Sequence, residues 1–241
     1  MKAMILAAGL GTRLGTATRD LPKGMLDANG HPLLEYIVAS LSQHGFDEIV
    51  VNLHHHGDTI RDYFGDGSRW GVQIVYSEES ELLGTAGAVK NVESFFGDDD
   101  FLVHYGDVVT DQNLTAMMQY HRTHDGLGTL LVHQRRGSNS VLTLDEDQRI
   151  TSFLERPGGT VDSESTWVHS GVSILRKPVL SLIPANAKCD LPRDVYAPAI
   201  ARGESFFAWP LRGYRCAVDS PERLEDLRDA SRDGRLAIRF P

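Results

Sequence analysis

The sequence predicts an α/β protein: a mostly parallel mixed sheet flanked by helices on both faces, Rossmann-like in its succession of βα units, with a smaller lobe packed on it. Short apolar runs of strand length alternate with segments whose apolar residues recur at helical spacing. The alternation is regular through about residue 135, after which a hairpin pattern and separate helices follow. A chain of 241 residues, 41% hydrophobic, can bury one sizeable core. One domain is therefore expected over 1–241, with halves at about 1–135 and about 136–241.

Lys2 to Leu6 is an apolar run that ends in glycine-rich sequence and reads as the first strand. Leu34, Ile37, Val38 and Leu41 fall on one face of a helix that His44-Gly45 stops. Glu48 to Leu53 reads as a buried strand, and the cycle repeats with a strand at Val72–Ser77 and a helix at about Thr85–Phe95. A strand at Phe101–Tyr105, a helix near Leu114–His121 and a strand at Thr129–Gln134 complete this half. Val141–Asp145 and Arg149–Leu154 form a hairpin pattern across Glu146-Asp147, and Trp167–Leu175 adds a strand. Helices are expected near Pro178–Ile183, Arg193–Ala201 and Pro221–Ser231, with no repeat, low-complexity run or linker.

Charge and cysteine usage narrow the partners. With 33 acidic against 24 basic residues the net charge is −9, which argues against a general nucleic-acid or anionic-membrane surface. Cys189 and Cys216 are the two cysteines, and no apolar run approaches 18 residues, so the sequence reads as a cytoplasmic protein with reduced thiols.

The segment after the first strand, Ala7-Ala8-Gly9-Leu10-Gly11-Thr12-Arg13-Leu14 with Pro22-Lys23 behind it, is built to hold phosphates. Two glycines allow a tight turn whose N–H groups face an anion, Thr12 adds a hydroxyl donor, and Arg13 and Lys23 bring fixed positive charge. It is not a Walker A loop, because no GxxxxGK followed by Ser or Thr occurs. Nor is it a dinucleotide fingerprint: the third glycine would fall at Leu14, and no acidic residue closes a clear second strand. GxGTR on a strand end followed by Pro-Lys resembles the signature of the sugar-1-phosphate nucleotidylyltransferases, which make nucleotide sugars.

Further strings carry the same resemblance. Glu81-Leu82-Leu83-Gly84-Thr85-Ala86-Gly87-Ala88 puts small residues at a helix start, leaving room for a flat group and offering unpaired N–H groups. Such residues also let a helix pack closely. The string matches the family's LGTAGA segment, which lies against the base and near the sugar phosphate. His104-Tyr105-Gly106-Asp107-Val108 places a carboxylate at the carboxyl end of an otherwise uncharged strand, where ligands bind in open α/β sheets. It matches the family's GD motif, and Asp107 is the best candidate to ligate Mg²⁺, which takes one or two carboxylates with phosphate oxygens and waters. Phe153-Leu154-Glu155-Arg156-Pro157 resembles the "EKP" segment, whose acid receives sugar hydroxyls and whose cation meets the sugar phosphate; Arg156 stands where Lys is usual.

Departures from the family pattern are specific. His169-Ser170-Gly171 carries His169 where Asn is frequent, which suggests an unusual sugar pocket. The second metal carboxylate commonly stands four residues before the Pro of a Pro-Glu pair, whereas Asp219 stands two before Pro221-Glu222; it either still reaches the metal or caps the last helix. Gly24 replaces a frequent Pro after Pro22-Lys23 and should loosen the chain there. Consecutive histidines on a strand point to opposite sides, so His54-His55-His56 reads as surface or as a loop beside the base rather than as a zinc site. Asp98-Asp99-Asp100 reads as a solvated turn, and Trp70 and Trp209 as core or interface residues.

The resemblance implies a nucleotide-binding half at about 1–135 and a sugar-phosphate-binding half at about 136–241. It implies attack of a sugar-1-phosphate oxygen on the α-phosphorus of a nucleoside triphosphate, releasing pyrophosphate without a covalent enzyme intermediate. Catalytic roles fall to Arg13, Lys23 and Asp107. Nucleotide contacts fall to Leu6, Ala7, Ala8, Gly9, Gly11, Thr12, Arg13, Glu81, Gly84 and Thr85. Sugar-phosphate contacts fall to Gly106, Glu155, Arg156, His169 and Gly171, and Mg²⁺ ligation to Asp107 and Asp219. LGTAGA leans towards GTP, and the compact length resembles members acting on mannose-, heptose- or N-acetylmuramic acid-1-phosphate or on unusual cyclitol phosphates. The partners are the triphosphate and the sugar phosphate, not nucleic acid or membrane, and a homodimer is allowed. The alternatives are a cytidylyltransferase of a non-sugar phosphate and a non-catalytic binding or regulatory subunit with the same fold.

Overall fold

The computed structural model describes residues 1–9, 11, 21–138, 140–155 and 166–241. In chain order the first elements are β1 (Lys2–Leu6), β2 (Asp27–Ala28), β3 (His31–Pro32), α1 (Leu33–Gln43), β4 (Glu48–Leu53), α2 (Gly57–Phe64) and β5 (Gln73–Glu78). There follow α3 (Gly84–Asn91), α4 (Glu93–Phe96), β6 (Phe101–Tyr105), β7 (Val108–Thr110), α5 (Leu114–His121) and β8 (Gly128–Arg135). The chain continues with β9 (Ser140–Leu144), β10 (Ile150–Glu155), β11 (Thr166–Leu175), α6 (Ala197–Ala201), β12 (Phe206–Pro210), β13 (Arg215–Ala217) and α7 (Pro221–Arg232). The α/β class and its mixed sheet are as the sequence predicts. Among the described residues no helix is long and apolar enough to cross a membrane.

Contacts divide the chain into two units, each assembled from separate stretches of sequence. The first comprises Met1–Leu82, His104–Thr115 and Arg212–Pro241, and the second Leu83–Val103 and Ala116–Leu211.

In the first unit β1 runs parallel to β4, with Lys2 opposite Glu48 and Leu6 opposite Asn52, and β4 runs parallel to β5. Ala3, Met4, Ile5, Ile49, Val50 and Val51 are buried, as continuous apolar runs in parallel strands require. A second core joins Leu33 and Tyr36 of α1 to Val109, Cys216 and Val218 and to Leu224 and Leu227 of α7. The three-residue strands β7 and β13 pair antiparallel, with Ala217 opposite Val108. Their partners lie a hundred residues apart, so neither leaves a local signal. Helix α2, also unexpected, is short; its first turn follows His56, which takes a left-handed φ of 54°.

In the second unit β11 pairs antiparallel with β8, and β9 with β10, while β12 runs parallel to β8. The register of β11 shifts between His169 and Ser173, a bulge in which Gly171 takes a φ of +85°. The helix expected at about Thr85–Phe95 breaks at Val92 into α3 and α4. The segment expected as a helix near Pro178 is a 3₁₀ helix, Lys177–Leu182, and the one near Arg193 opens as a π-helix, Leu191–Tyr196, before α6.

Candidate active site

The carboxyl end of β1 meets the GD segment directly. The Gly106 N–H donates to the Leu6 carbonyl at 2.9 Å, and a Cβ on Gly106 would sit 2.6 Å from that oxygen and 3.2 Å from Ala7 Cα. Only a residue without a side chain brings the two segments this close. Asp107 follows at once, and its carbonyl accepts the Val218 N–H at 2.9 Å, an extension of the β7–β13 ladder. Asp219 is thereby delivered beside the Asp107 backbone. It does not cap α7: Ser220 does, its hydroxyl accepting the Arg223 N–H at 3.3 Å.

Lys23 reaches the same place from another direction. Its ammonium donates to Asp107 Oδ2 at 2.6 Å, with the lysine side chain 15% and the carboxylate side chain 35% exposed. Pro22 leads into a 3₁₀ turn, Lys23–Met25, closed by the Met25 N–H on the Pro22 carbonyl. Gly24 does not loosen this turn. It is buried, and a Cβ there would lie 2.5 Å from Leu34 Cγ, so the glycine presses the turn onto α1.

Asp107 and Asp219 offer hard oxygen donors on adjoining backbone, with Asp107 open to solvent on one side. Among the described residues no group of three His, Cys, Asp or Glu side chains converges. That donor set fits Mg²⁺, which completes its shell with phosphate oxygens and waters, and does not fit a closed zinc site. His54 turns away to bond the Glu79 carbonyl through Nδ1 at 2.8 Å, while His55 and His56 are exposed.

The start of the glycine-rich loop is anchored from below. The Ala7 N–H donates to Asn52 Oδ1 at 2.7 Å, so this donor points into the sheet and not towards an anion. Ala8 is buried, Gly9 has open space where a Cβ would stand, and Gly11 takes a φ of +63°. Thr12, Arg13 and Arg156 lie outside the described residues. Glu81 is exposed just beyond β5. Asn52 and its partner Glu79 were not singled out from the sequence, although Asn52 is the polar interruption in the apolar run of β4. Asp111 has a structural task, accepting the N–H groups of Tyr214 and Ala237.

In the second unit the start of α3 corrects the expectation of free helix N–H groups. The Thr85 N–H donates to Asp190 Oδ1 at 3.2 Å, and the Ala86 and Gly87 N–H groups donate to the Cys189 carbonyl at 2.9 and 3.2 Å. The Leu191 N–H returns a bond to Thr85 Oγ1 at 2.7 Å. Gly84, at φ +73°, would place a Cβ 2.5 Å from the Cys189 carbonyl oxygen, and Gly87 would place one 2.4 Å from that of Ala187. These small residues let residues 187–191 clasp the helix start. Asp190, the side chain in that clasp, is another residue the sequence reading missed.

Glu155, at the end of β10, is partly exposed. Desolvation raises its carboxyl pKa, with the Arg193 cation pulling it down and the Asp190 anion pushing it up. Arg193 pairs with Asp194 through two contacts of 2.8 Å and reaches Asp190 at 3.3 Å. His169 sits at the bulge, with Nε2 3.0 Å from Ser173 Oγ and its ring edge-on to Tyr196. The arrangement thus supplies, in the first unit, a cation–carboxylate pair at a strand end with Asp219 on the adjoining backbone, and in the second a carboxyl, an imidazole and a guanidinium.

The model of the nucleotidyl transferase family matches residues 2–214. The UTP--glucose-1-phosphate uridylyltransferase of Synechocystis sp. is 36% identical over 223 residues, covering 86% of this chain and 57% of that protein. The mannose-1-phosphate guanylyltransferase of Mycobacterium tuberculosis is 30% identical over 205 residues, covering 84% and 56%. The chain therefore spans little more than half the length of these relatives. The crystal structure of a UDP-glucose pyrophosphorylase complexed with UDP-glucose superposes with a TM-score of 0.82 over 97% of this chain and 98% of that one, at 18% identity, which bears on the fold alone. With the family model covering most of its length, and an α/β Rossmann-like fold as the motifs predict, the chain belongs to the nucleotidyl transferase family.

Proposed function

We propose that this protein joins a nucleoside triphosphate to a sugar-1-phosphate, giving a nucleotide sugar and pyrophosphate. The observation that carries the reading is the Lys23–Asp107 pair at 2.6 Å, set where Gly106 meets the end of β1, with Asp219 on the adjoining backbone. A phosphate oxygen of the acceptor forms the new bond to the α-phosphorus while the bond to pyrophosphate breaks. No side chain needs to enter a covalent intermediate, so the protein's contribution is positioning and offset of charge. Asp107 holds the Lys23 ammonium in place, ready to exchange a carboxylate oxygen for a phosphate oxygen as negative charge builds. Asp107 and Asp219 would hold Mg²⁺, which when bound supplies charge neutralisation on the phosphate oxygens. By family resemblance Arg13 holds the leaving pyrophosphate, and Glu155, His169 and Arg156 receive the sugar phosphate.

The relatives' names support the substrate class and divide on the base: one is named for UTP, another is a guanylyltransferase. The LGTAGA string leans towards GTP. The test is pyrophosphate release in the presence of Mg²⁺, with all common triphosphates, GTP and UTP first, against hexose-, heptose- and N-acetylmuramic acid-1-phosphates, and CTP with phosphocholine as a control pairing. Release that depends on one triphosphate and one sugar phosphate is the expected result and names both substrates. Release with phosphocholine alone would replace the sugar reading, and triphosphate binding without release from any pairing would replace catalysis with a binding role.

A further inference from the structure

At the end of β1, where the glycine-rich string begins, three groups form a short chain of hydrogen bonds. Asn52 is 3% and Glu79 7% exposed. The Ala7 N–H donates to Asn52 Oδ1 at 2.7 Å, and Asn52 Nδ2 donates to Glu79 Oε1 at 2.7 Å. The direction of this chain is fixed by chemistry. A backbone N–H can only donate and a carboxylate can only accept, so the amide satisfies both neighbours in one orientation. Glu79 is itself held at its backbone, its N–H on the Leu53 carbonyl at 2.8 Å and its carbonyl bonded to His54 Nδ1 at 2.8 Å. Ala7 lies between Leu6, whose carbonyl accepts the Gly106 N–H, and the glycines of the loop.

We propose that Asn52 is a positioning residue for the triphosphate: oriented by Glu79, it fixes the backbone of Ala7 and so the point from which the loop leaves β1. Asn52 touches no substrate in this scheme and acts through the loop. The inference rests on the transferase reading above. A loop whose first residue is pinned loses less freedom when phosphate binds, so the relay affects triphosphate affinity more than sugar-phosphate affinity.

The relay can be rewired without changing its size. In Asn52→Asp the new carboxylate can still accept the Ala7 N–H but faces the Glu79 carboxylate at hydrogen-bond distance, an arrangement like charges oppose. Adding Glu79→Gln restores a donor on that side, so that the new carboxylate accepts from both neighbours. The measurement is calorimetric binding of the triphosphate alone, alongside KM for each substrate in the pyrophosphate assay. Asn52→Asp should weaken triphosphate binding about tenfold or more, because the donor to Glu79 that orients the side chain is lost and two carboxylates face each other, with the sugar-phosphate KM moved far less. Asn52→Asp with Glu79→Gln should recover most of the affinity. Unchanged affinity in Asn52→Asp, or no recovery in the double variant, overturns the relay. Should Asn52→Asp fail to fold, Asn52→Ser removes the bond to Ala7 without adding charge, and undiminished affinity there overturns it equally. Wild-type protein that binds no triphosphate would overturn the transferase reading itself, whereas binding that ignores position 52 overturns the relay alone.

Discussion

Lys23 and Asp107 come from sequence positions 84 residues apart and meet at 2.6 Å, which two isolated motifs do not reveal. The pair is partly open to solvent, so its worth to stability is small, on the order of 0–1 kcal/mol. Its worth to chemistry should be much larger. Lys23→Ala or Asp107→Ala is expected to lower turnover at least ~100-fold, the scale of removing one preorganised charge-stabilising group, while melting temperature and circular dichroism stay close to wild type. A folded variant that turns over at near-normal rate would remove that residue from the mechanism. Gly106→Ala tests the neighbouring contact. The added Cβ would stand 2.6 Å from the Leu6 carbonyl oxygen, a backbone atom in the sheet that cannot step aside. A loss of about 1–3 kcal/mol is expected from such overpacking, read as a lower urea midpoint, together with reduced activity. A midpoint equal to wild type would show that β1 and the GD turn are not tightly joined.

At the scale of elements, strands and helices carried by local apolar patterns were readable, and those that depend on distant partners were not. β1 and β4 coincide with the expected runs because four or more apolar residues declare a buried parallel strand without reference to a neighbour. β7 and β13, three residues each, exist because they pair with one another, and this ladder is what places Asp219 beside Asp107. The spacing of Asp219 from Pro221-Glu222 left two roles open; with Ser220 as the cap the helix-capping role falls away, and metal ligation stays a proposal. The candidate site divides in the same way. The loop and the GD turn are contiguous strings, whereas the Asn52–Glu79 relay and the Asp190 clasp join residues 27 and 105 positions apart. The clasp yields a prediction of its own. Gly87→Ala would drive a Cβ to 2.4 Å from the Ala187 carbonyl oxygen, so α3 and residues 187–191 must separate. A stability loss of about 1–3 kcal/mol is expected, with Asp190→Ala costing about 1 kcal/mol through loss of its bond to the Thr85 N–H. Unchanged unfolding midpoints in both would show the clasp to be slack.

Across the whole molecule, each unit buries a histidine that the fold keeps neutral. His121, 0% exposed, has its pKa pushed down to about 3 by desolvation, and the charges of Arg176, His124 and Arg122 add to the shift. Its Nδ1 lies 2.9 Å from Thr129 Oγ1, while its Nε2 is 3.7 Å from Asp100, too far for a hydrogen bond. His104, 1% exposed, is pushed down to about 4, again chiefly by desolvation, with the Tyr105 carbonyl and Asp107 favouring the charged form and Arg215 opposing it. An unfolded histidine takes up its proton near pH 6.5. Above that pH neither state is charged, and these residues leave stability unaltered. Below it the unfolded chain binds protons that the fold excludes, so stability falls as pH drops from about 6.5 towards 4, by up to about 1.4 kcal/mol per pH unit for each histidine. Asp47, Asp98 and Asp194, whose pKa values are lowered by ion pairs, lose their contributions only at lower pH, within and below the usual carboxylate range. Asp100 and Glu155, raised by desolvation, act with the opposite sign and soften the decline. The expected outcome is a urea midpoint that drops between pH 7.5 and 5.0, and drops less in His121→Gln, which cannot take up the proton. A midpoint level across that interval would mean that these histidines accept protons within the fold, and a decline undiminished in His121→Gln would clear this residue of any part in it.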